Sequence, residues 1–215
     1  MGNQNLGGRM SYRIKDGWQV PEEDRECFDV VIREVNDIQY ILPYCKNKRN
    51  CIQAGGNVGI WPVNLSSHFN TVYTFEPDTI NYEALLQNLK LGHNKIVSCN
   101  AALGAEKGRG SMFHLEKNNI GAHQVVIGDG FDILTIDSLN LDNVDLIQLD
   151  IEGYEHFALL GAIETINKCS PAICVELKGL GEKHGFTDTT TIELLNRLGY
   201  QKVAKFHRDI LFVKQ

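Results

Sequence analysis

The chain has 215 residues, of which 43% are hydrophobic, so it is long enough for one sizeable α/β core and short for two full domains. Its formal charge of −6 disfavours a general nucleic-acid-binding protein, whose surface carries a basic face, and leaves small molecules or a cationic ligand as expected partners. No apolar run approaches the roughly 18 residues that a membrane span needs, so we expect neither secretion nor membrane insertion, and a cytoplasmic location.

The six cysteines include no Cys-x-x-Cys pair, and several lie within apolar runs. They are Cys27, Cys45, Cys51, Cys99, Cys169 and Cys174. This pattern is typical of buried thiols in a reduced compartment, and it predicts neither a disulfide framework nor a metal site.

Residues 1–49 are predicted to form a helical extension or a lid. Residues 1–20 are rich in Gly and Asn and lack hydrophobic periodicity, so no regular structure is predicted there. Pro21, followed by three acids, resembles a helix start. Apolar residues then recur at three- and four-residue spacing, which predicts one or two amphipathic helices ending before Pro43.

From residue 50 onward, short apolar runs alternate with helical patterns, as in a parallel sheet with crossover helices. The predicted strands are 50–55, 71–76, 96–102, 144–151 and 171–177. Helices are predicted after the first, second and fourth strands and at about 188–198, the clearest being 80–91. The runs 200–206 and 210–213 predict a closing antiparallel pair. The expected fold is a Rossmann-like, doubly wound α/β sheet, mostly parallel with an antiparallel C-terminal strand and helices on both faces.

The segment between the third and fourth strands departs from this alternation. Short strands are predicted at 109–115, 124–127 and 131–136, with Gly128-Asp129-Gly130 as a turn. The segment is either an insertion at the ligand edge or an extension of the sheet. Asn118 and Asn119 could line the same ligand pocket, although Asn-Asn-Ile-Gly is equally a good turn sequence.

The stretch 51–61 changes character halfway. Its first residues complete a short buried strand, and Gly55, Gly56 and Gly59 follow where a helix should begin. Backbone without β-carbons at a helix start can lie directly against a ligand. The stretch therefore predicts a ligand-binding turn, with an ordinary tight turn as the alternative.

Glu76 ends the second predicted strand, about 20 residues after the glycine turn, where nucleotide-binding folds place an acid for the ribose hydroxyls. A dinucleotide site also needs Gly-x-Gly-x-x-Gly, but counting from Gly55 puts Asn57 and Ile60 at the second and third glycine positions. A glycine turn with a ribose acid and no phosphate cradle indicates a nucleoside without phosphates, of which S-adenosylmethionine is the common one.

Four blocks of the sequence resemble, in this order, the signature blocks of the FkbM-type methyltransferases. They are residues 53–59, 75–77, 101–104 and 147–155. The resemblance runs from about residue 50 to the C-terminus, and Phe-Glu-Pro followed by Asp-x-Glu-Gly-x-Glu is its specific part. It implies that residues 50–215 form a class I methyltransferase domain with a seven-stranded sheet, and that the cofactor is S-adenosylmethionine.

The resemblance also implies roles for individual residues. The backbone of Gly55, Gly56 and Gly59 should approach the methionine part of the cofactor, with Asn57 adding a side-chain hydrogen bond. Glu76 should bind the ribose hydroxyls, and Asn100 or the backbone of Ala101 should meet the adenine. Gln53 stands where the family usually has an acid, and Gly56 where it usually has Ala; the Gln53 amide can hydrogen-bond the cofactor but offers its ammonium group no charge.

Asp150 and Glu152 close the fourth strand beside the glycine turn, and they are the predicted catalytic residues that face the reactive methyl. Alternatively, acids here would stabilise the N-terminus of the following helix by roughly 0.3–1 kcal/mol each, and for Glu152 and Glu155 the two interpretations are nearly balanced. His207 is another candidate base, or a merely exposed histidine. Further candidates for the acceptor side are Glu176 and Lys178.

The sequence thus predicts a methyltransferase that uses S-adenosylmethionine, with oxygen of a small or saccharide-like molecule as the methyl acceptor. Neither a metal, a nucleic-acid partner nor a membrane is expected. The alternatives are a catalytically idle module that binds a nucleoside, and a nicotinamide-dependent oxidoreductase, which the missing glycines disfavour.

Overall fold

A computed structural model describes residues 11–24, 26–90, 92–114 and 123–215. Its strands are β1 (Tyr12–Lys15), β2 (Trp18–Pro21), β3 (Asn50–Ala54), β4 (Thr71–Phe75), β5 (Ile96–Cys99), β6 (Ala101–Leu103), β7 (Gly108–His114), β8 (His123–Ile127), β9 (Phe131–Leu134), β10 (Val144–Leu149), β11 (Ala172–Glu176), β12 (Tyr200–Phe206) and β13 (Asp209–Lys214). Its α-helices are α1 (Cys27–Glu34), α2 (Ile38–Ile41), α3 (Ile60–Ser66), α4 (Thr79–Leu89), α5 (Glu155–Leu160), α6 (Ile163–Cys169) and α7 (Asp188–Arg197). Short 3-10 helices are Val35–Asp37, Leu42–Tyr44, Asp137–Leu139 and Leu180–His184.

Seven strands form the central sheet, in the order β12-β13-β11-β10-β3-β4-β5. Neighbouring strands are parallel except where β13 pairs antiparallel with β11 and β12. This arrangement confirms the predicted doubly wound sheet with an antiparallel C-terminal strand. Strands β10 and β11 are buried along their whole length, as expected for strands at the centre of a sheet that is covered on both faces.

Side chains alternate between two cores because successive residues of a strand point to opposite faces. On one face Cys51, Val72 and Leu146 join residues of α1 and α3, including Phe28 and Leu65. On the other face lie Ile52, Ile147 and Ile173 with residues of α5, α6 and α7, namely Leu159, Ile166 and Leu195. Helices therefore cover both faces, which leaves the carboxyl ends of the strands as the edge where open α/β sheets bind ligands.

The third predicted strand, 96–102, is broken at Asn100. Its first part is β5 of the central sheet, and its second part, β6, belongs to a separate four-stranded sheet in the order β6-β9-β7-β8. The Asn100 side-chain amide donates hydrogen bonds to the carbonyls of Glu76 and Pro77, at 2.8 and 3.2 Å, which ties the break to the end of β4. The segment after β5 is thus a second sheet, and not an extension of the first. Asn118 and Asn119 lie outside the described residues.

The helix predicted after the fourth strand is two helices, α5 and α6, separated at Gly161 and Ala162. A β-carbon on Gly161 would lie 2.1 Å from the carbonyl oxygen of Gly104. The chain after β6 therefore passes so close to the end of α5 that it leaves no room for a side chain there.

The prediction of no regular structure before Pro21 is wrong, because β1 and β2 form an antiparallel hairpin. Asp16 and Gly17 form its turn with φ of 49° and 83°, the positive values that a two-residue hairpin turn requires. Pro21 ends β2 and does not open a helix, since α1 begins only at Cys27. The lid function of this extension stays a prediction.

Within the described part of the chain, no helix has the length and hydropathy to cross a membrane.

Asn88 of α4 attaches this hairpin to the main domain. Its buried side chain accepts a hydrogen bond from the Gln19 N–H at 2.8 Å and donates to the carbonyls of Gln19 and Val58, at 3.0 and 2.8 Å. One amide therefore links β2, α4 and the loop before α3.

We predict that Asn88→Ala lowers the free energy of unfolding by about 2–3 kcal/mol, because it leaves buried backbone groups without partners. Urea denaturation measures this change. Asn94→Ala, at an exposed position, is the matched control and should change the value by less than about 0.5 kcal/mol. Equal effects of the two substitutions would contradict this account of the hairpin.

Candidate active site

The ends of β3 and β10 meet at Gly55. The Asp150 N–H donates to the carbonyl of Ala54 at 3.1 Å, and a β-carbon on Gly55 would lie 1.9 Å from the Asp150 carbonyl oxygen. Gly55 also has φ of 85°, a conformation that glycine adopts without strain. The structure therefore requires glycine at this position, and it brings the glycine turn beside the predicted catalytic acid.

The other two glycines, Gly56 and Gly59, also leave the turn without side chains at their positions. A β-carbon on Gly56 would lie 2.8 Å from the Thr74 hydroxyl oxygen, and Gly59, with φ of 102°, directly precedes α3. Residues 55–59 thus form a loop, here called the glycine loop, whose backbone is free of β-carbons at all three glycines.

Gln53 supports the glycine loop from inside the sheet. Its amide, fully buried, donates to the Gly55 carbonyl at 3.0 Å and accepts from the Thr74 hydroxyl at 2.5 Å. The side chain therefore holds the loop, and the predicted direct contact between Gln53 and the cofactor stays a prediction.

Glu76 lies against the glycine loop at the end of β4. One carboxylate oxygen accepts from the Asn57 N–H at 2.7 Å and the other from the Asp78 N–H at 2.8 Å. Burial raises the pKa of Glu76 to about 8, although these two backbone hydrogen bonds lower it. Each carboxylate oxygen can accept a second hydrogen bond, so Glu76 can still receive hydroxyl donors.

Three further predicted cofactor residues lie around Glu76. Asn57 adopts φ of 46°, and its side-chain oxygen accepts from the Val58 N–H at 2.7 Å. Asn100 is bonded to the Glu76 and Pro77 carbonyls, and Ala101 is the first residue of β6. The structure thus brings Asn57 and Asn100 against Glu76, with Ala101 next along the chain.

Asp150 and Glu152 form a carboxylate cluster with Glu176, at the end of β11. One carboxylate oxygen from each of the three lies within 4.8 Å of the others. The Lys178 ammonium lies among them, 3.0 Å from Glu152 and 2.5 Å from Glu176. Carboxylates at such distances can ligate a hard cation, and here the Lys178 ammonium supplies a positive charge.

The closeness of these carboxylates changes their pKa values. Burial, the Glu176 charge and a hydrogen bond to Glu176 raise the pKa of Asp150 well above its ordinary value. Burial also raises the pKa of Glu152, against the opposing effect of Lys178. Two carboxyl groups this close cannot both ionise easily, so the charge of Glu176 favours the protonated form of Asp150.

Glu155 stabilises the turn that carries Glu152. Its carboxylate is buried and accepts from the N–H groups of Ile151 and Gly153, at 2.9 and 3.2 Å, and burial raises its pKa to about 7. Gly153 has φ of 98°, and a β-carbon there would lie 2.6 Å from the Leu180 carbonyl carbon. The role that the structure gives Glu155 is therefore to position this turn.

His207 contacts Asp37 of the N-terminal extension. Its Nδ1 lies 2.9 Å from an oxygen of Asp37, and this hydrogen bond raises the pKa of the exposed imidazole. His207 therefore connects the turn between β12 and β13 with the helices of the N-terminal extension.

Sequence reasoning missed two residues near the carboxylate cluster. Asp209 pairs with Glu176 across β13 and β11, and burial and the charge of Glu176 raise its pKa to about 7. The sequence predicted Asp209 in the turn of the closing antiparallel pair, whereas the structure makes it the first residue of β13, beside the end of β11. The second missed residue is Cys27 of α1. Its position depends on how the helix packs, which no local sequence pattern indicates.

Comparison with solved structures identifies the class of fold. A crystal structure of an FkbM methyltransferase from Methylobacillus flagellatus KT is similar at 17% identity and a TM-score of 0.55, over 89% of this chain and 56% of that chain. Magnesium protoporphyrin IX methyltransferase from Synechocystis PCC 6803, solved with bound S-adenosylmethionine, is similar at 12% identity and a TM-score of 0.50, over 87% and 79%. At these identities the likeness establishes the fold, which is that of the class I methyltransferases.

The family follows from the sequence model of the FkbM methyltransferase domain, which matches residues 53–202. The chain belongs to this family, and it spans just over half the length of the Methylobacillus protein. A search among curated proteins finds no significant match. The matched residues include the glycine loop, Glu76 and the carboxylate cluster, and they leave out the N-terminal extension.

We predict that Glu176→Gln weakens the pH dependence of stability. Because the pKa of Asp150 is raised on folding, the folded state binds more protons than the unfolded state above about pH 4, and the free energy of unfolding falls as pH rises. Removing the Glu176 charge should reduce this fall between pH 4 and pH 8 by about 1 kcal/mol or more.

Urea denaturation at pH 4, 6 and 8 measures this dependence. Glu193→Gln, at an exposed position of α7, is the control and should behave like the wild type. An unchanged pH dependence in Glu176→Gln would show that the two carboxyl groups do not interact as described.

Proposed function

We propose that the protein is a methyltransferase that uses S-adenosylmethionine to methylate an oxygen of a small or saccharide-like acceptor. The observation that carries this proposal is the contact between the glycine loop and the end of β10, which brings Glu76 and Asp150 to one edge of the sheet in a chain of the FkbM family. Gly55 lets the glycine loop pass directly beside Asp150, and the Glu76 carboxylate, which can accept further hydrogen bonds, suits the ribose of a nucleoside.

Different residues would bind the different parts of the cofactor. The glycine loop would receive the methionine part of the cofactor, and Glu76 would accept hydrogen bonds from the ribose hydroxyls. Asn100 and Ala101, beside Glu76, would border the adenine. Bound S-adenosylmethionine supplies an activated methyl group on its sulfonium sulfur.

The carboxylate cluster would act on the acceptor. The raised pKa of Asp150 makes its ionised carboxylate a stronger base than an ordinary aspartate, so Asp150 would receive the proton of an acceptor hydroxyl as the hydroxyl oxygen takes the methyl group. General base catalysis of this kind contributes about 10²–10⁴-fold, whereas positioning of the reactants can supply about 7–11 kcal/mol. Positioning is the larger effect, so we expect Asp150→Asn to slow methyl transfer without abolishing it.

We predict that S-adenosylhomocysteine, the product form of the cofactor, raises the melting temperature. At 100 times its dissociation constant it should add about 2.7 kcal/mol to the free energy of unfolding, which corresponds to about 5–10 °C for a chain of this size. NAD is the control ligand and should cause no shift. A shift with NAD and none with S-adenosylhomocysteine would support an oxidoreductase and contradict our proposal.

We predict that S-adenosylhomocysteine binds more tightly as pH rises from 6 to 9. Hydroxyl donors favour the ionised form of Glu76, whose pKa is about 8 in the free protein, so binding should release a proton. Glu76→Gln should weaken binding by about 10- to 100-fold, because a hydrogen bond to a charged group is lost, and should remove most of the pH dependence.

Isothermal titration calorimetry in buffers of different ionisation enthalpy measures both the affinity and the protons released. Glu164→Gln, at an exposed position of α6, is the matched control and should leave both unchanged. Full affinity and an unchanged pH dependence in Glu76→Gln would contradict the role of Glu76 in binding ribose.

A further inference from the structure

The first turn of α1 is fixed over the edge of the central sheet. The buried carboxylate of Asp24 accepts from the N–H groups of Cys27 and Phe28, at 2.9 and 3.1 Å, which caps the helix. The Phe28 side chain is 1% exposed and packs in the same core as Val58 of the glycine loop. The position of Cys27 is therefore determined by a capped helix and a buried aromatic ring.

The Cys27 thiol lies against the glycine loop. Its sulfur accepts a hydrogen bond from the Asn57 side-chain amide at 3.5 Å, and the residue as a whole is partly buried. Burial raises the pKa of Cys27, and the charges of four carboxylates raise it further; they belong to Asp24, Asp150, Glu152 and Glu76.

The contact with Asn57 places the thiol on the glycine loop, within electrostatic range of Glu76, Asp150 and Glu152. Glu76 is the candidate ribose acid, and Asp150 and Glu152 are the candidate groups at the methyl. In S-adenosylmethionine the methionine part is attached to the ribose through the sulfonium sulfur, so it leaves the ribose on the side of the reactive methyl. A thiol hydrogen-bonded to Asn57 therefore lies at the glycine loop, which would receive the methionine part.

We propose that Cys27 is a cofactor-binding residue, whose thiol covers the methionine part of S-adenosylmethionine so that α1 forms the roof of the site. This inference rests on the proposed function. It adds to the site a residue from outside the part of the chain that the family model matches, and it gives the N-terminal extension a direct role in binding.

The test compares two ligands on the full chain by isothermal titration calorimetry. S-adenosylhomocysteine contains the amino-acid part, whereas adenosine lacks it. Cys27→Phe should weaken the binding of S-adenosylhomocysteine at least about tenfold, because the larger ring would overlap the amino-acid part, and should change adenosine binding by less than about threefold. Cys27→Ser, which is close in size, should bind both ligands nearly as the wild type does.

Cys169→Phe is the matched control, since Cys169 is also partly buried but lies at the end of α6. It should leave both affinities unchanged. If Cys27→Phe weakened the binding of both ligands equally, or of neither, the proposed role of Cys27 would be overturned. If the wild type binds no S-adenosylhomocysteine, the proposed function fails, and this inference fails with it.

A labelling experiment on the wild type does not depend on the folding of Cys27→Phe. Methylmercury chloride reacts with thiols, and mass spectrometry of peptides reports the rate at each cysteine. S-adenosylhomocysteine should slow the modification of Cys27 several-fold more than adenosine does, with no change at Cys169. Equal rates at Cys27 with the two ligands would overturn the inference while leaving the proposed function intact.

Discussion

The contact between Gly55 and the carbonyl of Asp150 is the constraint on which the rest of the site depends. Two parallel strands end there with their backbones so close that a β-carbon would lie 1.9 Å from the carbonyl oxygen. Because the turn after β3 must pass this point, the glycine loop faces β10 on one side and Glu76 on the other. The location of the site is therefore a consequence of how two strands end.

The charged groups of the site are held by the protein itself. Glu76 is bonded to two backbone N–H groups, Glu155 to two others, and Lys178 to the carboxylates of Glu152 and Glu176. These contacts keep the side chains oriented, although burial raises the pKa of Glu76 to about 8 and of Glu155 to about 7. Ionising such groups opposes folding near neutral pH, and raised carboxyl pKa values of this kind concentrate at functional sites.

Much of the fold could be predicted from the sequence, because apolar runs locate the buried strands and Gly55, Glu76 and Asp150 directly follow three of them. The hairpin of β1 and β2 also had a local signal, because Asp16-Gly17 stands between two runs, 12–15 and 18–21, in which apolar and polar residues alternate. Hydrogen bonds to Asn88 of α4 stabilise it. The position of Cys27 had no such signal, because the approach of α1 to the glycine loop is decided by tertiary packing.

A crystal structure of the protein with S-adenosylhomocysteine would test the central claim most directly. We expect both ribose hydroxyls within hydrogen-bond distance of the Glu76 carboxylate, the amino-acid part against Gly55, and the sulfur on the side of Asp150. A ligand bound away from the glycine loop, or one with its ribose turned from Glu76, would contradict the account.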